Sequence, residues 1–230
     1  MRDNCGEYQN LYGETKYKIT KMKIYPIISY SADSNTYILE DEETKAVCII
    51  DPGYTSEHLK RIISVLNEMG KFPDFVINTH CHYDHIGNDE YFANKGIKIF
   101  LNELDGKAIL ERDDEKILAR FFEMKVPKIR DLKFVDNDEL MDLGKTALKI
   151  LHTPGHTSGS ISVYEEKTKS LFSGDLVFSG GVGRTDLPGG NFEQLRTSIA
   201  QILDLNFKTL YPGHGKTGTY ENVKRIRKFI

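Results

Sequence analysis

The chain has 230 residues, with 31 basic against 34 acidic side chains and a net charge of −3. It therefore lacks the basic surplus with which proteins hold nucleic acid by charge. At 39% hydrophobic and 28% charged residues it has the balance of a folded globular chain, not a disordered one. No apolar run reaches the roughly 18 residues of a membrane span, and residues 1–22 lack the apolar stretch of a secretory signal. Three cysteines, Cys5, Cys48 and Cys81, give no disulfide framework, so a reducing, cytoplasmic compartment is expected.

In chain order, residues 1–21 carry tyrosines but no period and read as a loose extension. Patterned sequence begins at Met22, which is itself an alternative start. Strands are predicted at Lys23–Ile28, Thr36–Glu40 and Ala46–Asp51, the last closed by the turn Asp51-Pro52-Gly53. A helix follows over Ser56–Gly70, where Leu59, Ile62, Ile63 and Leu66 make one apolar face. Ser56 is its expected N-cap and Gly70 its stop. Next come a strand at Asp74–Thr79, a short helix at Asp89–Lys95 and a strand at Ile97–Leu101. The charged segment Leu104–Lys125 is helical in pattern and ends before Val126-Pro127.

The second half repeats the theme. Strands are predicted at Ala147–Leu151, Ser160–Glu165 and Ser170–Ser173. A helix follows over Asn191–Leu205 with Phe192, Leu195, Ile199 and Ile202 facing inward. A short strand at Thr209–Tyr211 and a helix at Tyr220–Ile230 complete the pattern. Two β-rich halves with their own helices predict an α/β protein, two sheets packed face to face with helices outside, in one domain over 22–230.

Five of the seven histidines fall where an apolar strand gives way to a turn. His80, His82 and His85 lie in Thr79-His80-Cys81-His82-Tyr83-Asp84-His85. His156 lies in Pro154-Gly155-His156-Thr157, and His214 in Pro212-Gly213-His214-Gly215. Asp175 follows Ser173-Gly174 in the same way. Strand ends converging on one rim are where α/β proteins build sites. On an extended backbone His80 and His82 point to one side, and the turn after them can fold Asp84 and His85 back. Imidazole and carboxylate together suit zinc, iron or manganese. His58, in a predicted helix, and His152, at a strand end, are expected to be non-ligands. Cys81 should point away from its flanking histidines and pack in the interior.

These residues resemble the metallo-β-lactamase superfamily from about Lys23 to His214. Gly183-Arg184-Thr185-Asp186-Leu187-Pro188-Gly189-Gly190 and Tyr211-Pro212-Gly213-His214-Gly215 look like its short glyoxalase II-like (hydroxyacylglutathione hydrolase-like) members. The resemblance implies a four-layer αβ/βα sandwich with two mixed β-sheets and a binuclear site along one edge. It implies His80, His82 and His156 on a first metal, Asp84, His85 and His214 on a second, and Asp175 bridging both. Two divalent ions are expected, zinc first and iron or manganese as alternatives. The implied activity is hydrolysis of a thioester or ester of a small metabolite by a metal-bridging hydroxide, with Asp84 orienting it and accepting its proton. Thiolate is an easy leaving group, because a thiol pKa is about 8.5.

Arg184 and Lys216 are candidates for an anionic substrate, Arg184 alternatively pairing with Asp186. Phe121, Phe122 and Met124 are candidates for a lid, or for ordinary core. Gly180–Gly190 is expected as a flexible loop near the site. A different class is also compatible: a mononuclear iron persulfide dioxygenase-like enzyme shares the Gly-Arg-Thr-Asp segment and would use His80, His156 and Asp175. Those enzymes tend to carry an acidic residue and a tyrosine after the last histidine, where this chain has Gly215-Lys216. No nucleic-acid or membrane partner is expected. Between Asp175 and His214 there is no room for the inserted domain that superfamily nucleases carry.

Overall fold

The computed structural model describes residues 8–9, 15–16, 22–129 and 131–230. Two short strands, β1 (Tyr8–Gln9) and β2 (Thr15–Lys16), pair antiparallel. The rest of the expected loose extension lies outside the described residues. The first sheet is built from β3 (Met22–Ile27), β4 (Thr36–Asp41), β5 (Val47–Ile50), β6 (Phe75–Ile77), β7 (Lys98–Asn102) and β8 (Leu132–Val135), side by side in that order. β3, β4 and β5 run antiparallel, and β5 through β8 are parallel. The parallel crossovers carry helices α1 (Ser56–Met69), α2 (Tyr83–Ile86), α3 (Asp89–Ala93), α4 (Glu103–Glu111) and α5 (Asp114–Ile117), then a 3-10 turn at Ala119–Phe122. The second sheet consists of β9 (Leu140–Leu143), β10 (Thr146–His152), β11 (Ile161–Glu165), β12 (Ser170–Gly174), β13 (Thr209–Pro212) and β14 (Gly218–Thr219). Helix α6 (Phe192–Leu203) joins β12 to its parallel neighbour β13, and α7 (Tyr220–Ile226) follows β14.

Strand alternation decides which layer each side chain joins. Leu39, Cys48, Ile50 and Ile77 meet Leu148, Ile150, Val163 and Phe172 in the core between the sheets. Their neighbours Ile38, Ile49 and Val76 face the other way, onto Ile62 and Leu66 of α1 and Ala108 of α4. On the second sheet, Leu151, Leu171 and Leu210 pack under Leu195, Ile199 and Ile202 of α6. Helices outside and two mixed sheets inside make the expected four-layer αβ/βα sandwich. Tyr37 locks the sheets together, edge-on to both Phe172 and Tyr211 at 5.3 Å between ring centroids.

Several local expectations need correction. The N-cap of α1 is Thr55, whose hydroxyl accepts the His58 N–H, not Ser56; Gly70 stops the helix as expected, at φ 62°. Leu104–Lys125 is not one helix. Arg112 closes α4 in the left-handed region and Asp113 caps a new helix by accepting the Lys116 N–H. Leu118 and Glu123 turn left-handed again. Here a good N-cap outcompetes helical periodicity, and the broken path tucks Ile117 and Ala119 into the core. Phe192 is half exposed, not inward, whereas Leu195, Ile199 and Ile202 are fully buried. The last helix stops at Ile226. Strands β8 and β9 have no counterpart in the sequence pattern, since both are short and carry exposed positions.

Candidate metal centre

The site begins where the parallel strands end. β5 closes on Asp51, which is left-handed at φ 53°. That bend turns its carboxylate across to the exit of β6. There Oδ1 accepts the Thr79 N–H at 2.8 Å, while Oδ2 accepts the Thr79 hydroxyl at 2.7 Å and His85 Nδ1–H at 2.9 Å. Gly53 is needed next in the turn, at φ 69°, because a Cβ there would fall 2.7 Å from the His58 ring. β6 is shorter than expected, so the His80-Cys81-His82 segment lies beyond the ladder, with His82 extended and opening α2. One turn of α2 then brings Asp84 and His85 back toward His80, whose ring centroid lies 4.0 Å from that of His85.

The second sheet supplies the rest from three strand ends. His156 follows β10, Asp175 follows β12 and His214 follows β13. His156 Nδ1 donates to the Arg184 carbonyl at 2.7 Å, which leaves Nε2 as a bare lone pair. That nitrogen sits 2.9 Å from His82 Nδ1. Asp175 Oδ2 lies 3.7 Å from His156 Nε2 and 3.4 Å from His214 Nε2, and its Oδ1 lies 3.4 Å from His85 Nε2. His214 Nε2 also approaches Asp84 Oδ2 at 3.1 Å and His85 Nε2 at 3.3 Å. Gly183 packs tightly here, since a Cβ would fall 1.8 Å from the Asp175 carbonyl oxygen.

All seven side chains singled out from the sequence thus converge. They form three overlapping groups: His80, His82 and His156; His80, His85 and Asp175; and Asp84, His85 and His214. Within each group the ligand atoms lie within 4.8 Å of one another. The donor set fits divalent cations. His80 Nε2 and Asp175 Oδ1 are buried without a hydrogen-bond partner among the described residues, a costly state unless a cation pairs with them. Outer hydrogen bonds to Asp51 and to the Arg184 carbonyl fix two imidazoles with their inner nitrogens turned toward the cluster, the orientation metal-binding histidines require.

The electrostatics agree. Burial pulls His80 well below its ordinary value, with His85, His82 and His156 adding to the fall. Burial, then His156, lowers His82 to about 3. Burial would also lower His85 and His214, but carboxylates outweigh it. Asp51, Asp84 and Asp175 raise His85 well above the usual range, and Asp175 and Asp84 raise His214. Burial likewise opposes ionisation of Asp84 and Asp175, yet the facing histidines hold both carboxyls below their ordinary value. The cluster is therefore a site of negative charge that protons or cations must balance.

The remaining candidates fall outside the cluster. His58 is buried against the Thr36 hydroxyl at 2.8 Å, and His152 Nε2 donates to the Ser158 carbonyl; neither joins a ligand group. Cys81 is buried, its thiol near the Lys116 carbonyl. Burial and Asp105 push that thiol well above its usual range, which makes it a poor nucleophile. Arg184 is exposed and forms a two-point pair with Asp186 at 3.0 and 2.7 Å, so its carbonyl, not its guanidinium, meets the centre. Lys216 is exposed on the turn after His214. Phe122 packs on Tyr54 and Tyr83, whereas Phe121 and Met124 are exposed. Sequence reasoning missed the Asp51 hydrogen bonds and the Arg184 carbonyl. The buried Asp before Pro-Gly was the one available signal for the former; a backbone carbonyl leaves none.

Among the described residues no helix is long and apolar enough to cross a membrane. The profile of the metallo-beta-lactamase superfamily matches residues 32–214. A probable metallo-hydrolase of Methanocaldococcus jannaschii is 36% identical over 90% of this chain and 100% of its own length. The hydroxyacylglutathione hydrolase GloC of Haemophilus influenzae is 32% identical over 91% of this chain and 97% of its own. The crystal structure of TTHA1623 in a di-iron-bound form superposes with a TM-score of 0.76 at 28% identity, covering 90% of this chain and 100% of that one. With this match, and with the sandwich and the histidine–aspartate cluster at its edge, the chain belongs to the metallo-β-lactamase superfamily.

Proposed function

We propose that the protein is a binuclear metal-dependent hydrolase that cleaves a thioester, or an ester, of a small metabolite. The observation that carries this reading is the position of Asp175 between the groups: its Oδ2 lies 3.7 Å from His156 Nε2 and 3.4 Å from His214 Nε2, and its Oδ1 lies 3.4 Å from His85 Nε2. Such a carboxylate suits two cations better than one. His80, His82 and His156 would hold the first ion, Asp84, His85 and His214 the second, with zinc the first choice and iron or manganese as alternatives. Ions bound there would bring a water near pKa 7 and polarise a carbonyl.

The chain's own residues do the rest. Asp84 Oδ2, against His214 Nε2, is placed to orient that water and take its proton. Asp51 and the Arg184 carbonyl hold His85 and His156 in the tautomers they need. A thiolate leaves without an acid to protonate it, because its conjugate thiol has a pKa of about 8.5. That favours thioesters over amides, as does the similarity to a hydroxyacylglutathione hydrolase. Lys216 and Arg184 are proposed to meet an anionic part of the substrate, with Arg184 partly neutralised by Asp186.

The test is metal analysis of protein from cells grown with zinc, iron and manganese, followed by thiol release from a thioester panel. Near two metals per chain with thioester turnover, both reduced in His82→Ala, is the expected result. One iron per chain with oxygen consumption on a persulfide would overturn the hydrolase reading.

A further inference from the structure

The cluster is drawn from loops of both halves, and two buried side chains from outside it brace those loops. Asp105, in the first turn of α4, is buried. Its Oδ2 accepts the Cys81 N–H at 2.9 Å and the Thr157 hydroxyl at 2.7 Å, and its Oδ1 accepts the Gly159 N–H at 2.8 Å. Cys81 lies between His80 and His82, and Thr157 follows His156. One carboxylate therefore spans the two loops that supply the group His80, His82 and His156. There is no slack in this contact: a Cβ at Gly159 would fall 2.4 Å from Asp105 Oδ1.

Asn35, fully buried just before β4, braces the loop that carries His214. Its carboxamide donates to the Pro212 carbonyl at 3.0 Å and the Gly215 carbonyl at 2.8 Å. Its backbone N–H donates to the Gly213 carbonyl at 2.6 Å. Three carbonyls around His214 are thus held by one residue, and the Ser34 N–H beside it holds the Asp84 carbonyl at 3.1 Å. Asn35 Oδ1 is itself fixed by the Ser29 N–H at 3.0 Å. Asp84 and His214 both belong to the group Asp84, His85 and His214.

We infer that Asp105 and Asn35 are positioning residues for two separate metal positions, Asp105 for the His80–His82–His156 group and Asn35 for the Asp84–His85–His214 group. The inference rests on the two-metal reading above. Hydrogen-bonding partners behind the ligands set their spacing, and losing one weakens metal binding by about 10–100-fold. The contacts of Asp105 flank His80, His82 and His156, and those of Asn35 flank His214, so the losses should separate. In Asp105→Asn an NH₂ must face an N–H or hydroxyl donor that the carboxylate had accepted. In Asn35→Asp a carboxylate oxygen is set against the Pro212 and Gly215 carbonyls, at nearly constant shape.

The test is titration of metal-free wild type and both variants with Co²⁺, following bound ions by equilibrium dialysis and by visible absorption. Wild type should bind two. Asn35→Asp should keep one at wild-type affinity and weaken the other by about tenfold or more, leaving the spectrum that His214→Ala leaves. Asp105→Asn should do the reverse and match His156→Ala. Melting of the metal-free proteins checks folding. If either variant does not fold, Tyr37→Phe removes the hydroxyl that also donates to the Pro212 carbonyl at 2.7 Å, and Thr157→Val removes the one on Asp105. Each should shift the same position by less. Equal weakening of both positions, or no weakening, overturns the inference while the two-metal reading stands. A single Co²⁺ bound to wild type overturns that reading, and the inference with it.

Discussion

Asp51→Asn is the sharpest probe of how the strand ends build the site. Asparagine tolerates the left-handed backbone at this position, so the change acts through the carboxylate. Three donors now converge on it, from the Thr79 N–H, the Thr79 hydroxyl and His85 Nδ1. An amide has one accepting oxygen. If that oxygen serves His85 and the Thr79 hydroxyl, the buried Thr79 N–H faces an NH₂ group and goes unpaired, at about 1–3 kcal/mol. The His85 bond also falls from charge-assisted to neutral, losing about half its strength. A total near 2–3 kcal/mol should lower the melting temperature of the metal-free protein by about 4–12 °C for a chain this long. Zn²⁺ affinity, read by competition with a chromophoric chelator, should fall about 10–100-fold because the His85 ring is no longer held. A melting temperature within about 1 °C of wild type, together with unchanged Zn²⁺ affinity, would refute the reasoning.

Two further predictions follow from the charges. Asp175→Asn should remove most bound metal and turnover, whereas Asp186→Asn, which breaks only an exposed pair with Arg184, should retain both; the opposite ranking by metal analysis contradicts the bridging role. Asp89 is buried beside Asn78, and burial pushes its carboxyl well above the ordinary range. Its Oδ1 and that of Asn78 are unpaired among the described residues, an arrangement a protonated Asp89 would satisfy. A raised folded pKa means that its contribution to stability is complete below the unfolded value of about 3.9 and is lost as pH rises. Asp89→Asn does not titrate, so its melting temperature relative to wild type should climb from about pH 4 to pH 7. A flat or falling difference in thermal scans would show that Asp89 ionises freely.

The clustered residues were legible because each sits in a short run at a strand-to-turn junction, where sequence neighbours are also spatial neighbours. His80, His82, Asp84 and His85 are one segment, and His156 and His214 each follow a Pro-Gly. Asn35 and Asp105 carry no such mark. Each acts on loops far along the chain, and nothing local distinguishes them from a turn asparagine or a helix-start aspartate. The path through Leu104–Lys125 was misread because helical spacing persists across Asp113, where the chain restarts with a new cap. β9 was missed for the converse reason: an edge strand exposing Leu140 and Asp142 gives too little alternation to register. The contact of the Arg184 carbonyl with His156 left no mark, because every residue carries the same carbonyl.

The position of the cluster on the seam between the sheets makes any bound cation a rivet. His80, His82, Asp84 and His85 are fastened to one half, and His156, Asp175 and His214 to the other. Each sheet keeps its own helix-covered core, from Ile62 and Leu66 on one side to Ile199 and Ile202 on the other. Stripping the metal leaves those shells intact and takes closure energy from the joint between them. Metal loss would therefore show first as local opening at this rim, while the apolar core between the sheets keeps the halves together.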